Sequence, residues 1–196
     1  MADTKVDICA RAIIMIGAQP ISSFDDGSTE ALVASGLYEN MLTALLSRHR
    51  WRFATDQRQL DLLTDAPTGR YSFAYQLPEL LVLNTITVSD IPIGYSRYGD
   101  KVFCDTYGSN TKLIADYTFR QTESEFPAYF KLALEYQLAS IFAGSVARDA
   151  AMIQQFSALA EQQIRIAKNT DSQEETNKVL KNACVSCCLM VCHGSS

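Results

Sequence analysis

The chain has 196 residues, 47% hydrophobic and 20% charged, with a net charge of −5. That is enough apolar material for one sizeable core with an appendage, and too much for a disordered chain. The acidic balance, with no Lys/Arg run, argues against tight nonspecific nucleic-acid binding. No apolar run reaches the roughly 18 residues that a membrane helix needs.

Met1-Ala2-Asp3-Thr4-Lys5 leads straight into an amphipathic pattern, so no secretory leader is expected and the protein is read as soluble and made in the cytoplasm. In that reducing compartment the six cysteines are not expected to form structural disulfides.

Residues 4–17 read as a first helix: Val6, Cys9, Ile13 and Ile16 recur at spacings of three and four, and Ile14 widens the stripe. Gly17 and Pro20 stop it. Asp25, Asp26 or Ser28 can cap the second helix, expected over 28–49, whose stripe is Ala31, Ala34, Tyr38, Met41, Leu42, Leu45 and Leu46. Trp51 and Phe53 follow and are expected to plug the end of the helical core.

Residues 56–78 are polar and read as turn-rich. Beyond them the period changes. Residues 80–83, 86–88, 93–98, 101–104 and 113–120 are strand candidates, with Gly99-Asp100 as a two-residue hairpin turn and Gly108-Ser109-Asn110 as the next turn. Helical period returns over 126–147, where Phe126, Phe130, Leu134, Leu138, Ile141 and Phe142 share a face. A fourth helix is expected over 150–168, through Ile153, Phe156, Leu159, Ala160, Gln163, Ile164 and Ala167. A weaker helical segment over 172–181 carries the Glu174/Lys178 pair.

Three segments, in this order, carry a resemblance. The first is Asp7-Ile8-Cys9-Ala10-Arg11-Ala12 followed by Ile16-Gly17-Ala18-Gln19-Pro20-Ile21-Ser22-Ser23-Phe24-Asp25-Asp26-Gly27. The second is Leu45-Leu46-Ser47-Arg48-His49-Arg50-Trp51-Arg52-Phe53-Ala54. The third is Tyr75-Gln76-Leu77-Pro78, then Tyr98-Gly99-Asp100 and Ala115-Asp116-Tyr117-Thr118-Phe119-Arg120. Over residues 5–165 the chain resembles the tail tubular protein A-like head-to-tail adaptors of short-tailed bacteriophages. The resemblance implies a structural virion protein of the tail neck and not an enzyme. It implies a ring of about twelve copies, closed through heterologous contacts, between the portal protein and a tail nozzle of the tail tubular protein B kind. Tail fibres are a further candidate partner. Ejected DNA would pass through the channel without specific binding, and no cofactor is implied.

Together the patterning and the resemblance give an expected fold class: mainly α, an antiparallel helical bundle with an inserted small antiparallel β-module and an extended C-terminal arm. The bundle is expected over 1–55 and 121–169, the β-module over 56–120 and the arm over 170–196. Ser172, Glu175, Val179, Leu180, Leu189 and Met190 are the expected portal-binding residues of the arm. Tyr95, Arg97, Tyr98 and Tyr107 are expected to face the tail. Trp51, Phe53, Phe130 and Phe142 are the expected structural core.

Two other functional classes are weighed against this one. Glu123 or Glu125 could serve as the acid of a virion-associated peptidoglycan hydrolase, but nothing in the sequence puts a carboxyl in an apolar pocket that would raise its pKa. Capping and solvated-loop roles suit these acids and Asp25/Asp26 better. Cys184, Cys187, Cys188, Cys192 and His193 supply zinc-type donors, as a small zinc-tail binding module would need. Their crowding around Leu189, Met190 and Val191 suits an apolar arm better than two turn-projected ligand pairs. His49 lacks a nucleophile motif and is expected to end the second helix.

Overall fold

The computed structural model describes residues 3–64, 67, 69–105 and 112–174. The first helix, α1 (Lys5–Met15), begins at a reciprocal cap. Asp7 N–H donates to Thr4 Oγ1 at 3.2 Å, and Thr4 N–H donates to Asp7 Oδ2 at 2.9 Å. Ile8, Cys9, Ala12 and Ile13 form its buried face. Ile14, expected to widen that stripe, is 57% exposed instead.

The helix stops by backbone geometry. Gly17 takes φ +77°, its N–H donates to Ile14 O at 2.9 Å, and Ala18 N–H reaches back to Ile13 O at 3.3 Å. A Cβ on Gly17 would meet nothing within 4 Å, so only the left-handed backbone opposes a side chain there. Gly17→Ala is expected to cost about 1 kcal/mol, from αL strain alone. Urea unfolding checks this, and an unchanged midpoint would contradict it.

Ser28 caps α2 (Thr29–Ser47), accepting from Ala31 N–H, while Asp26 braces the Ser28 hydroxyl at 2.6 Å. Ala31, Ala34, Tyr38, Leu42, Leu45 and Leu46 are buried. The helix closes before His49, with Arg48 at its C-cap. A 3₁₀ turn, Arg52–Ala54, then feeds the strands.

Here the expected fold class is overturned. The protein is about 49% helical with 20% strand, in two four-stranded antiparallel sheets and four helices among the described residues, so it is not a mainly-α bundle. The strands are β1 (Thr55–Gln59), β2 (Asp61–Leu62), β3 (Phe73–Gln76), β4 (Val82–Val88), β5 (Ile91–Pro92), β6 (Ser96–Tyr98), β7 (Lys101–Cys104) and β8 (Ile114–Thr118). One sheet has the order β1-β8-β4-β5 and the other β2-β3-β7-β6. The chain crosses from the first sheet to the second at Leu60, whose N–H donates to Leu113 O at 2.8 Å.

Burial explains the difference. The strands own a second hydrophobic core of Leu60, Tyr75, Leu77, Ile86, Val102, Cys104, Leu113 and Ala115, separate from the helical one. Each sheet covers the apolar face of the other. Three of the eight strands lie within the segment read as turn-rich. In β1, TDQRQ, four of five residues are exposed, which suits a polar edge strand and hides its period. The other two are short, β2 with two residues and β3 with four.

Two hairpin turns follow the backbone rules. Gly99 takes φ +62° in the two-residue β6–β7 turn, as its position requires. Ser89 and Asp90 both take positive φ between β4 and β5, the conformation that Asn-Gly usually supplies.

The helical half resumes with α3 (Ala128–Phe142), which packs against α1, α2 and α4 (Ala150–Gln173). A π-turn, Ala143–Ala147, and Arg148 at φ +55° reverse the chain, and Asp149 caps α4 through Ala151 and Met152 N–H. Residue α4 positions Ala160, Ile164, Ala167 and Asp171 are buried at helical spacing. The helix runs through Gln173, five residues past the expected end.

Candidate interaction surfaces

Two of the quoted stretches, 45–54 and 115–120, meet at the junction between the helices and the first sheet. Trp51 is fully buried there, and its indole N–H donates to Leu45 O at 2.9 Å. Phe130 stands edge-on to it at 5.1 Å and His49 at 4.9 Å. Phe53, half-buried, meets Phe130 edge to face at 4.8 Å, and Phe142 is buried in the same cluster.

The sheet is bolted to this plug. Thr55 pairs with Thr118 across β1 and β8, and Phe119 N–H donates to Ala54 O at 2.9 Å. Arg50 Nη2 donates to Asp116 Oδ2 at 2.9 Å. Asp116 Oδ1 is buried without a hydrogen-bond partner. A polar cleft of about 680 Å³ opens beside it, between the sheet and the end of α4.

Asp171 is the deepest charge in that region, at 1% exposure. Its carboxylate accepts the Arg52 backbone N–H at 3.1 Å and the Tyr129 hydroxyl at 3.0 Å, and His49 Nε2 lies 3.4 Å away. Burial, and then the bond to Asp171, hold the Tyr129 phenol well above its ordinary pKa. His49, expected to end α2, therefore joins the last helix to the junction. Nothing in the sequence pairs it with a residue more than a hundred positions away.

A second polar cluster ties helix to helix. Arg11 Nε donates to the buried Glu135 at 2.5 Å. Arg120 bridges Glu39 and Glu123, and the Tyr38 hydroxyl donates to Glu123 at 3.2 Å. Glu123, weighed as a hydrolase acid, is thus clamped by a guanidinium and a phenol. Glu125 is exposed on the adjacent 3₁₀ turn.

Of the residues grouped as a tail-facing edge, Arg97 and Tyr98 point to opposite sides of their strand. Tyr98 pairs with Lys101 and points to the outer face of the second sheet, where it is 60% exposed. Arg97 pairs with Val102 and lies on the opposite side of the strand, donating to Gly99 O at 3.1 Å. Period-2 alternation alone requires that separation. Tyr95 packs against the inter-sheet core, and Tyr107 lies outside the described residues.

The outer face of that sheet is hollow. Ala74, opposite Phe103 in the register, leaves a floor without a large side chain. Tyr71, Tyr98 and Phe103 wall a concavity of about 550 Å³, with Arg70 and Lys101 on its lining. Arg70 sits 5.3 Å above the Tyr71 ring. No carboxylate lines the hollow among the described residues.

Of the expected arm residues, Ser172 belongs to α4 and is exposed. Glu175, Val179, Leu180, Leu189 and Met190 lie outside the described residues, as do the cysteines from Cys184 onward and His193. No group of three or more metal-type donors occurs among the described residues. No described helix is long and apolar enough to cross a membrane. Comparison with known proteins finds no family model that matches the chain and no curated protein that matches it.

Proposed function

We propose that this chain is a structural virion protein of a short-tailed bacteriophage. In this reading it is the head-to-tail adaptor ring that connects the portal to the tail nozzle and forms part of the DNA ejection channel. It works by shape and contact, with tail fibres as a further candidate partner. The supporting observation is what two of the quoted stretches, 45–54 and 115–120, do in space. Trp51, Phe53, Arg50, Asp116, Thr118 and Phe119 all lie at one helix–sheet junction, and their contacts are packing, strand pairing and ion pairing. They make a rigid frame, as a part that transmits position between neighbours needs.

The test is electron microscopy of the full chain, alone and mixed with portal, followed by addition of nozzle protein. Rings of about twelve copies, seated on portal and able to recruit nozzle, are the expected result. A chain that stays monomeric and ignores portal would overturn the proposal. So would one that instead clears a peptidoglycan suspension, which would favour the hydrolase reading.

A further inference from the structure

The hollow on the second sheet has a counterpart elsewhere on the same chain. Leu32, in the first turn of α2, is 74% exposed, the most exposed large apolar side chain among the described residues. Asp25 and Asp26 in the preceding loop are exposed, and Glu30, two residues before Leu32, is half-exposed. None of the three acids is ion-paired among the described residues. The hollow is the inverse: aromatic walls, a small floor at Ala74, and Arg70 and Lys101 without an ion pair among the described residues.

A neighbour in a head-to-tail series can present the Leu32 corner to the hollow. Heterologous contacts of this kind close into rings when the rotation allows.

We infer that the hollow lined by Tyr71, Ala74, Tyr98, Phe103, Arg70 and Lys101 receives the Leu32 corner of a second copy of this chain. The apolar side chain enters between the rings, and Asp25 and Asp26 meet the two cations at the rim. Charge at the rim sets register and encounter rate, while the desolvated centre supplies adhesion. The contact is accordingly weakened by salt at its rim. This inference rests on the ring reading above, because it names the surfaces that would join its subunits.

Charge reversal with rescue tests it, on the full chain with and without portal, by sedimentation velocity. Asp25→Lys with Asp26→Lys, and separately Arg70→Glu with Lys101→Glu, are each expected to weaken self-association roughly tenfold or more. The fourfold variant, with both signs reversed, is expected to recover most of it. If a reversed variant fails to fold, Leu32→Ser and Tyr98→Ser, both at exposed positions, report on the same contact. Rings unaffected by any of these changes would overturn the inference and leave the ring reading standing. Losses that the fourfold variant does not recover would overturn it too. A wild-type chain that never associates, even with portal, would overturn both. Intact rings whose Arg70→Glu/Lys101→Glu variant instead loses oligothymidine binding would assign the hollow to single-stranded nucleic acid, against this inference.

Discussion

Trp51→Ala is expected to lower stability by roughly 3–5 kcal/mol, the usual cost of removing a fully buried large aromatic side chain. Three separate losses contribute. The indole fills the space between α2, α3 and the start of β1 with no exposed surface. It donates to Leu45 O, a carbonyl in the last turn of α2 that otherwise accepts only the long Arg48 N–H bond at 3.2 Å. It also gives Phe130 an edge-on partner at 5.1 Å, and such pairs are worth about 1 kcal/mol. Against a total stability of about 5–15 kcal/mol, this is a large fraction. The melting temperature is expected to fall by about 10 °C or more, given roughly 2–4 °C per kcal/mol for a chain of this size.

Trp51→Phe separates these contributions. It keeps an aromatic ring in the plug and leaves the Leu45 carbonyl without its indole donor, so a loss of about 1–3 kcal/mol is expected. Thermal and urea unfolding of both variants would show it. Unchanged melting of Trp51→Ala would mean that the junction is not the keystone of the helical half. Assembly on portal, by the proposed function, should fall with it, since the same residues hold the sheets at their angle to the helices.

The helical half was readable because its burial follows one period at a time. Ala31, Ala34, Tyr38, Leu42 and Leu45 repeat at three and four, and each is buried. Ile14 deviates because a side chain one residue off the stripe centre turns 100° to solvent, whatever its hydropathy. The sheet half was under-read because its signal is spread thin. β1 presents Asp56, Gln57, Arg58 and Gln59 to solvent, and only its pairing with β8 makes it a strand. Reading it needs the partner, and the partner is more than fifty residues away.

The interaction surfaces were still less legible. Tyr95, Arg97 and Tyr98 are close in sequence, yet the register sends Arg97 and Tyr98 to opposite faces. Arg70, Tyr71, Tyr98, Lys101 and Phe103 come together only through the β3–β7–β6 pairing. A small residue such as Ala74 carries no sequence signal as the floor of a hollow.

Asp171 was invisible for a different reason, and its removal is the second large effect expected. A lone acid late in an amphipathic helix reads as solvated, but here the carboxylate is buried, accepts two donors from other parts of the fold and has the His49 ring 3.4 Å away. Asp171→Ala strips the acceptor from the Tyr129 hydroxyl and from the Arg52 backbone N–H. A loss of about 3 kcal/mol or more is expected, because orphaning buried donors costs more than the bonds contribute when intact. Asp171→Asn keeps one carbonyl oxygen and should recover part of the loss. The same residue governs how the arm can be tested. Cutting the chain after Lys168 deletes Asp171 along with the arm, so such a truncate should melt like Asp171→Ala, and its failure to bind portal would not identify an anchor. Cutting after Glu174 leaves α4 and the Asp171 contacts whole. That shorter chain is expected to melt within about 1 kcal/mol of the full protein and, by the proposed function, to lose portal binding. A Glu174 truncate that still seats on portal would exclude residues 175–196 as the anchor, and a Lys168 truncate as stable as wild type would contradict the role given to Asp171.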